Sequence, residues 1–404
     1  MEPAVADRRC PVDLLDPAVR ASPYDAYRLL RETAPVCRTD SGAWVVSRHN
    51  DAAWLLESGV CDHWGQNPDW RRTASPAEIA LGDSLRMLGP DGSDAVRRVV
   101  ADALGARHLD GLEAALAAAA DRLIGKARTR SRLDVITSFA QPLTFVAVRR
   151  IISVTGAVGD RIADAATALG GNFFSSLVLP GMTPAAGAAT SLAEEFTALV
   201  RDARNADAGG TCGGTLARRL AAAAPELSDA TVVNLLLLIM FASWHNMVAF
   251  IGNAVLALAQ QPDAVTGLRG QPLSATAIME LLRFDSPLQF LFLTAASPIR
   301  LAGQSIGAGD AILVAIGAAN RDPAVWREPD RLDLTRATGE QLSFGAGAWR
   351  CLGARLAQTI ARVALDRLLA ATGAPRLAAA PVWRLDGPVV QRGLKALSIE
   401  IADD

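Results

Sequence analysis

No Cys-x-x-Cys pair occurs in this sequence, no Pro/Gly/Ser-rich linker divides it, and no strongly basic stretch stands out. Each absence excludes something. The five cysteines (Cys10, Cys37, Cys61, Cys212 and Cys351) are scattered and odd in number, a pattern that argues against a zinc site and suits a reducing compartment. A net charge of −2 offers no electrostatic footprint for nucleic acid. Met1 to Arg9 is polar and charged, without the apolar centre of a secretory leader. Residues 1–10 are therefore expected to be disordered and the protein cytoplasmic. With no linker, and with half of its 404 residues hydrophobic, the chain is expected to form one domain (1–404) around a large core. Internal repeats are absent, and the only compositional bias is toward alanine.

One run could be mistaken for a membrane span. Val232 to Ala259 is apolar and long enough to cross a bilayer. It carries Asn234, His245, Asn246 and Asn253, which are costly in lipid, and no basic cluster flanks it. A helix apolar all round can equally be the buried centre of a large protein, and that is the expectation here, with no membrane partner.

The most informative stretch runs from Ser343 to Ala357. Gly345, Gly347 and Gly353 surround Cys351, and glycine permits turns and close approaches that other residues resist. The loop delivers Cys351 to the start of a helical pattern, where backbone amides favour a thiolate. A thiolate so placed can ligate haem iron. A structural cysteine beside a turn is the other reading of that residue alone.

Phe344, Gly345, Gly347, Cys351 and Gly353, with Leu356-Ala357 following, resemble the Phe-Gly-x-Gly-x-His-x-Cys-x-Gly loop of the cytochrome P450 family. Glu280-Leu281-Leu282-Arg283 resembles the family's Glu-x-x-Arg helix. Ala319 to Pro323 and Pro329 to Leu332 resemble the segment leading to the cysteine loop. The resemblance covers nearly the whole chain, from about Pro11. It implies a mainly α fold with a smaller β-rich part, a triangular prism of helices around a haem pocket. It also implies haem b held through iron by Cys351, with Phe344, Gly345, Trp349, Gly353 and Ala357 around the cofactor. Glu280, Arg283 and Arg331 would form an ion network behind the loop.

Along the chain, Pro23 to Glu32 reads as a helix, Ala43 to Ser47 as a strand and Asp51 to Ser58 as a helix. Residues 62–86 lack clean periodicity; the resemblance implies that they loop over the pocket, with Trp64 as a lining candidate. Leu133 to Ile136 is strand-like. A breaker-rich loop from Gly170 carries Phe173, and a helix follows from about Ala189 to Ala206; by resemblance this is a lid over the substrate. Ala242, Phe290, Leu291, Phe292 and Val389 are further pocket candidates. Pro388 to Val390 and Leu394 to Ile401 look like a closing hairpin.

Several positions depart from the family pattern. In the long helix the acid position is His245 and the alcohol position Asn246. Asparagine can bind a water but cannot relay a proton as a hydroxyl or carboxyl does, whereas His245 could titrate near neutrality. Three usual propionate partners are replaced, by Ser93, Leu293 and Trp349. Arg97 remains, with Arg300 and Arg350 as further cations. Two function classes follow. One is a haem-thiolate oxidoreductase with His245 and Asn246 near the iron. It would perform an atypical oxidation of a small or carrier-bound natural-product intermediate (ring closure, aryl or C–N/C–C coupling), fed by a ferredoxin-type donor. The other is a P450-like protein without working haem, acting as an auxiliary partner of a biosynthetic enzyme or as a non-redox cyclase.

Overall fold

The computed structural model describes residues 8–63, 72, 76–89, 92–105, 111–154, 156–169, 186–205, 215–268, 270–385 and 389–401. Trp64 and Phe173, with the Gly170 loop, lie outside them. The fold is mainly helical with a smaller sheet portion. Its strands are β1 (Val36–Arg38), β2 (Trp44–Val46), β3 (Cys61–His63), β4 (Arg132–Asp134), β5 (Leu291–Ala295), β6 (Ile299–Leu301), β7 (Gln304–Ile306), β8 (Ala311–Val314), β9 (Val382–Trp383), β10 (Leu394–Ala396) and β11 (Ser398–Glu400). The main sheet has the order β1-β2-β8-β5-β3, with β2 and β8 parallel and the other pairs antiparallel.

The long helix Asp229–Gln260 is the axis of the molecule. Ser228 starts it, its Oγ accepting from the Thr231 amide at 3.2 Å, which satisfies a donor that has no partner inside the helix. It stops at Gln261, the residue before Pro262, in a non-helical conformation, as expected ahead of proline. Both this helix and Val135–Ile152 are apolar and long enough for a bilayer, yet 78% and 61% of their apolar windows are buried within the fold. The long helix packs against Pro76–Leu88, Gln141–Ile152, Ala186–Asn205 and Ala354–Thr372. Its all-round apolarity is thus met by protein.

The helices read from the sequence occur as Tyr24–Thr33, His49–Glu57 and Ala186–Asn205. Three expectations change. Residues 8–10 are not loose: Cys10 N–H donates to the Arg38 carbonyl at 3.0 Å, and Arg38 N–H to that of Arg8 at 2.8 Å. Cys10 and Cys37 form a disulfide across 27 residues, so the scatter of cysteines did not mean that all were reduced. The pairing is set by the chain running alongside β1, which no local spacing announces. Next, β4 ends at Asp134, because its Oδ1 accepts from Ile136 N–H at 2.9 Å and turns the backbone into a π-helical turn, Val135–Ala140. Finally, the C-terminal hairpin joins β9 to β10 and does not pair residues 389–390 with 394–401. β10 pairs with β9 and β11 with β4, and residue 388 is outside the described set.

Candidate functional site

The cysteine loop is built by its glycines. Gly345 sits at φ +68°, and a Cβ there would stand 2.4 Å from the Trp349 carbonyl oxygen. Gly347 sits at φ +53°, and its Cβ would meet the Leu56 carbonyl oxygen at 2.9 Å, so the loop lies directly on the helix His49–Glu57. Inside the loop, Cys351 N–H donates to the Phe344 carbonyl at 2.8 Å. Gly353 then caps the helix Ala354–Thr372. Gly345→Ala is expected to destabilise the protein by at least about 2 kcal/mol, since a left-handed backbone costs a non-glycine residue about 1–2 kcal/mol before any clash. A urea-denaturation midpoint indistinguishable from wild type would contradict this.

A buried ion cluster supports the loop from behind. Glu280 (0% exposed) and Arg283 (1%) form a two-pronged pair at 2.6 and 2.9 Å. Arg336 Nε adds a third contact to Glu280 at 3.0 Å. Arg283 also donates to the carbonyls of Asn320 (2.8 Å) and Pro329 (3.0 Å). Asn320 accepts from Leu342 N–H at 2.8 Å and donates to Ser343 Oγ at 2.9 Å, reaching the loop itself. Arg331 is not part of the cluster. It is exposed and lies 3.7 Å from Glu328. The Asp333 amide donates to Glu280, which carries the chain past Arg331 and swings Arg336 in.

Cys351 opens into a cavity of about 320 Å³ between the loop and the long helix. Phe344, Gly345, Trp349, Gly353 and Ala357 line it on the cysteine side. Ala242, Ser243, Asn246 and Met247 face it from the long helix, and Leu291 from β5. The thiol is partly exposed and opens into this cavity. Burial pushes its pKa up, against smaller opposing effects of the Gly353 amide and Arg350. Asn246 Oδ1 accepts from Gln391 Nε2 at 3.0 Å, leaving its N–H donors for whatever occupies the cavity.

Other expected site residues lie elsewhere. His245 faces a separate small cavity with Gln141, Trp244 and Gln391, its ring stacked on Phe241 with centroids 5.7 Å apart. The reason is helical geometry: positions 239, 242, 243, 246 and 250 share one face, and 245 falls on the flank. Arg97 donates to the Leu88 carbonyl and is not among the cavity-lining residues. Ser93, in the position of a usual cation, caps the helix Asp94–Ala103. Phe290 and Val389 line a different small cavity with Tyr27. Phe292 in β5 does not line the cysteine cavity, and Arg300 in β6 is exposed away from it.

Two polar lining residues were missed. Ser243 supplies a hydroxyl on the distal wall. His63 supplies an imidazole near Trp349, the ring centroids 6.1 Å apart. Burial first, then the nearby Arg86, lowers its pKa to about 4, so without a new partner it is neutral at pH 7. The chain has four histidines; asking which of them could replace a lost cation would have pointed to it.

Residues 215–371 match the cytochrome P450 family. Cytochrome P450 107B1 of Saccharopolyspora erythraea is 31% identical over 417 residues, covering 96% of this chain and 97% of that protein. The polyketide biosynthesis cytochrome P450 PksS of Bacillus subtilis is 26% identical over 401 residues, covering 94% and 96%. The crystal structure of CalO2 superposes with a TM-score of 0.83 at 28% identity, covering 97% and 99%. The chain belongs to the cytochrome P450 family. Membership implies a haem cofactor, and the donor set fits one. A single thiol stands on one wall of an apolar cavity, and Ala242, Ser243, Asn246 and Met247 face it from the other. A coordinating metal deprotonates a thiol outright, so the raised pKa of the free thiol does not oppose ligation.

Proposed function

We propose that this protein is a haem-thiolate oxidoreductase that tailors a natural-product intermediate by removing hydrogen, closing a ring or coupling two atoms, and not by simple hydroxylation. Haem b, held by Cys351, would supply the oxidising chemistry. The relative named for polyketide biosynthesis supports a biosynthetic intermediate as substrate, free or carrier-bound. Electrons would come from a ferredoxin-type donor.

One observation carries the reading. The wall opposite Cys351 presents Ala242, Ser243, Asn246 and Met247, and no carboxylate is among the described lining residues. Asn246 is pinned by Gln391 and can only orient a water or substrate oxygen by donating to it. Ser243 can hold a water but has no acid behind it in the described cavity. Such a wall positions a substrate better than it delivers protons.

The purified protein, reduced and treated with CO, is expected to show the red-shifted Soret band of a thiolate-ligated haem. Turnover with a ferredoxin donor under isotopically heavy dioxygen should then give a product that has lost hydrogen and gained no labelled oxygen. A labelled alcohol would overturn the reaction type. A colourless protein that stays so after haem is supplied would leave the haem-free alternative, an auxiliary partner or non-redox cyclase.

A further inference from the structure

We propose that His63 grips a carboxylate of the cofactor, in a cavity that Arg350 also lines, at an anchor point rebuilt from residues outside the positions where the family resemblance places cations. The proposal rests on the haem-thiolate reading above and deepens it.

The porphyrin of haem b carries two carboxylates, and a carboxylate held in a largely apolar cavity needs donors. Leu238, Val100, Leu288 and their neighbours offer none, which leaves the polar lining. Ser343 Oγ already donates to the Leu282 carbonyl at 2.9 Å and accepts from Asn320. Asn246 and Ser243 stand on the distal wall, across the cavity from the loop. The basic lining side chains that remain are His63 and Arg350.

The sheet register explains how His63 arrives there. β3 pairs with β5 so that His63 is directly opposite Leu293, and partners across an antiparallel pair project from the same face. Leu293, 2% exposed, is committed to the apolar cluster under the sheet. The imidazole one strand over, at the sheet edge, therefore takes the cavity-facing place that Leu293 cannot use. Trp349 closes the other side of it, ring planes 30° apart. Arg86, on the helix Pro76–Leu88, is near enough to disfavour the imidazolium. His63 and Arg86, from two separate elements, thus lie close together, and His63 and Arg350 both line the cavity. An incoming carboxylate would accept from the imidazole N–H, which the ring carries in the neutral as well as the protonated form, and would offset the Arg86 charge that disfavours the imidazolium.

The test is a binding titration of the cofactor-free protein, followed by growth of the Soret band and by quenching of tryptophan fluorescence. The two ligands are ferric protoporphyrin IX and its dimethyl ester, which keeps the ring and iron and lacks the carboxylates. Wild type should bind the acid about ten- to a hundredfold more tightly than the ester, the range expected for a hydrogen bond to a charged group. His63→Leu should lose most of that preference by weakening only toward the acid. His63→Gln, which keeps a donor, should recover much of it, and its circular dichroism guards against misfolding. If both variants discriminate between the two porphyrins as well as wild type does, His63 has no such role, while tight haem binding by all three proteins leaves the haem-thiolate reading standing. Equal losses in the Leu and Gln variants would also overturn the proposal, since donation would then be irrelevant. Wild type that binds neither porphyrin overturns the haem-thiolate reading, and this inference with it.

Discussion

Cys351→Ser is expected to eliminate the red-shifted Soret band of the reduced, CO-treated protein and to abolish turnover, while changing conformational stability by less than about 1 kcal/mol. The asymmetry follows from where the sulfur sits. Cys351 faces the cavity and contributes nothing to the buried clusters that hold the fold. Its thiol is pushed up by burial, so no thiolate-dependent stability is lost when it is replaced. Serine fits the same backbone, because the Cys351 N–H to Phe344 carbonyl bond does not involve the side chain. The hydroxyl, however, is a far weaker acid than a thiol and a harder donor, and iron in a thiolate site depends on the soft anionic ligand. Equal spectra and equal activity in the variant would mean that the sulfur is structural, and the redox reading would fall with it.

What was legible in the sequence was what is local in the chain. The glycines around Cys351 and the Glu280–Arg283 spacing of one helical turn are short-range geometry, and the structure keeps both. The apolar run over Val232 to Ala259 was likewise readable as a central helix, because burial on all sides needs no directional pattern. Residues chosen by position in a motif fared worse. His245 was placed by its order in the long helix, but a step of about 100° per residue puts it on the flank, whereas Asn246 meets the cavity. Arg331 and Arg336 lie in the same irregular segment, and the bond from Asp333 N–H to Glu280 holds that segment where Arg336 reaches Glu280. His63 was out of reach for a different reason: strand pairing with β5 brings it to the cavity from the far end of the sequence. The disulfide between Cys10 and Cys37 is of the same kind.

Arg283→Ala is expected to cost about 3–5 kcal/mol, the range for breaking a buried ion pair from one side. Glu280 would be left with no contact to water and with Arg336 as its remaining charged partner in the cluster. Replacing both members by apolar residues, Glu280→Leu with Arg283→Met, should recover much of that loss, because two desolvated charges are removed together. Haem retention should not recover in parallel. Arg283 also ties down the carbonyls of Asn320 and Pro329, and Asn320 in turn holds Leu342 and Ser343 at the entrance to the cysteine loop. Apolar substitutes can fill the volume but cannot donate to those carbonyls. Urea denaturation read beside haem content per chain separates the two roles. The double variant should melt more like wild type than Arg283→Ala does, yet lose cofactor far more readily than wild type. If stability and haem retention rise and fall together across all three proteins, the cluster merely holds the core, and its link to the ligand loop is incidental.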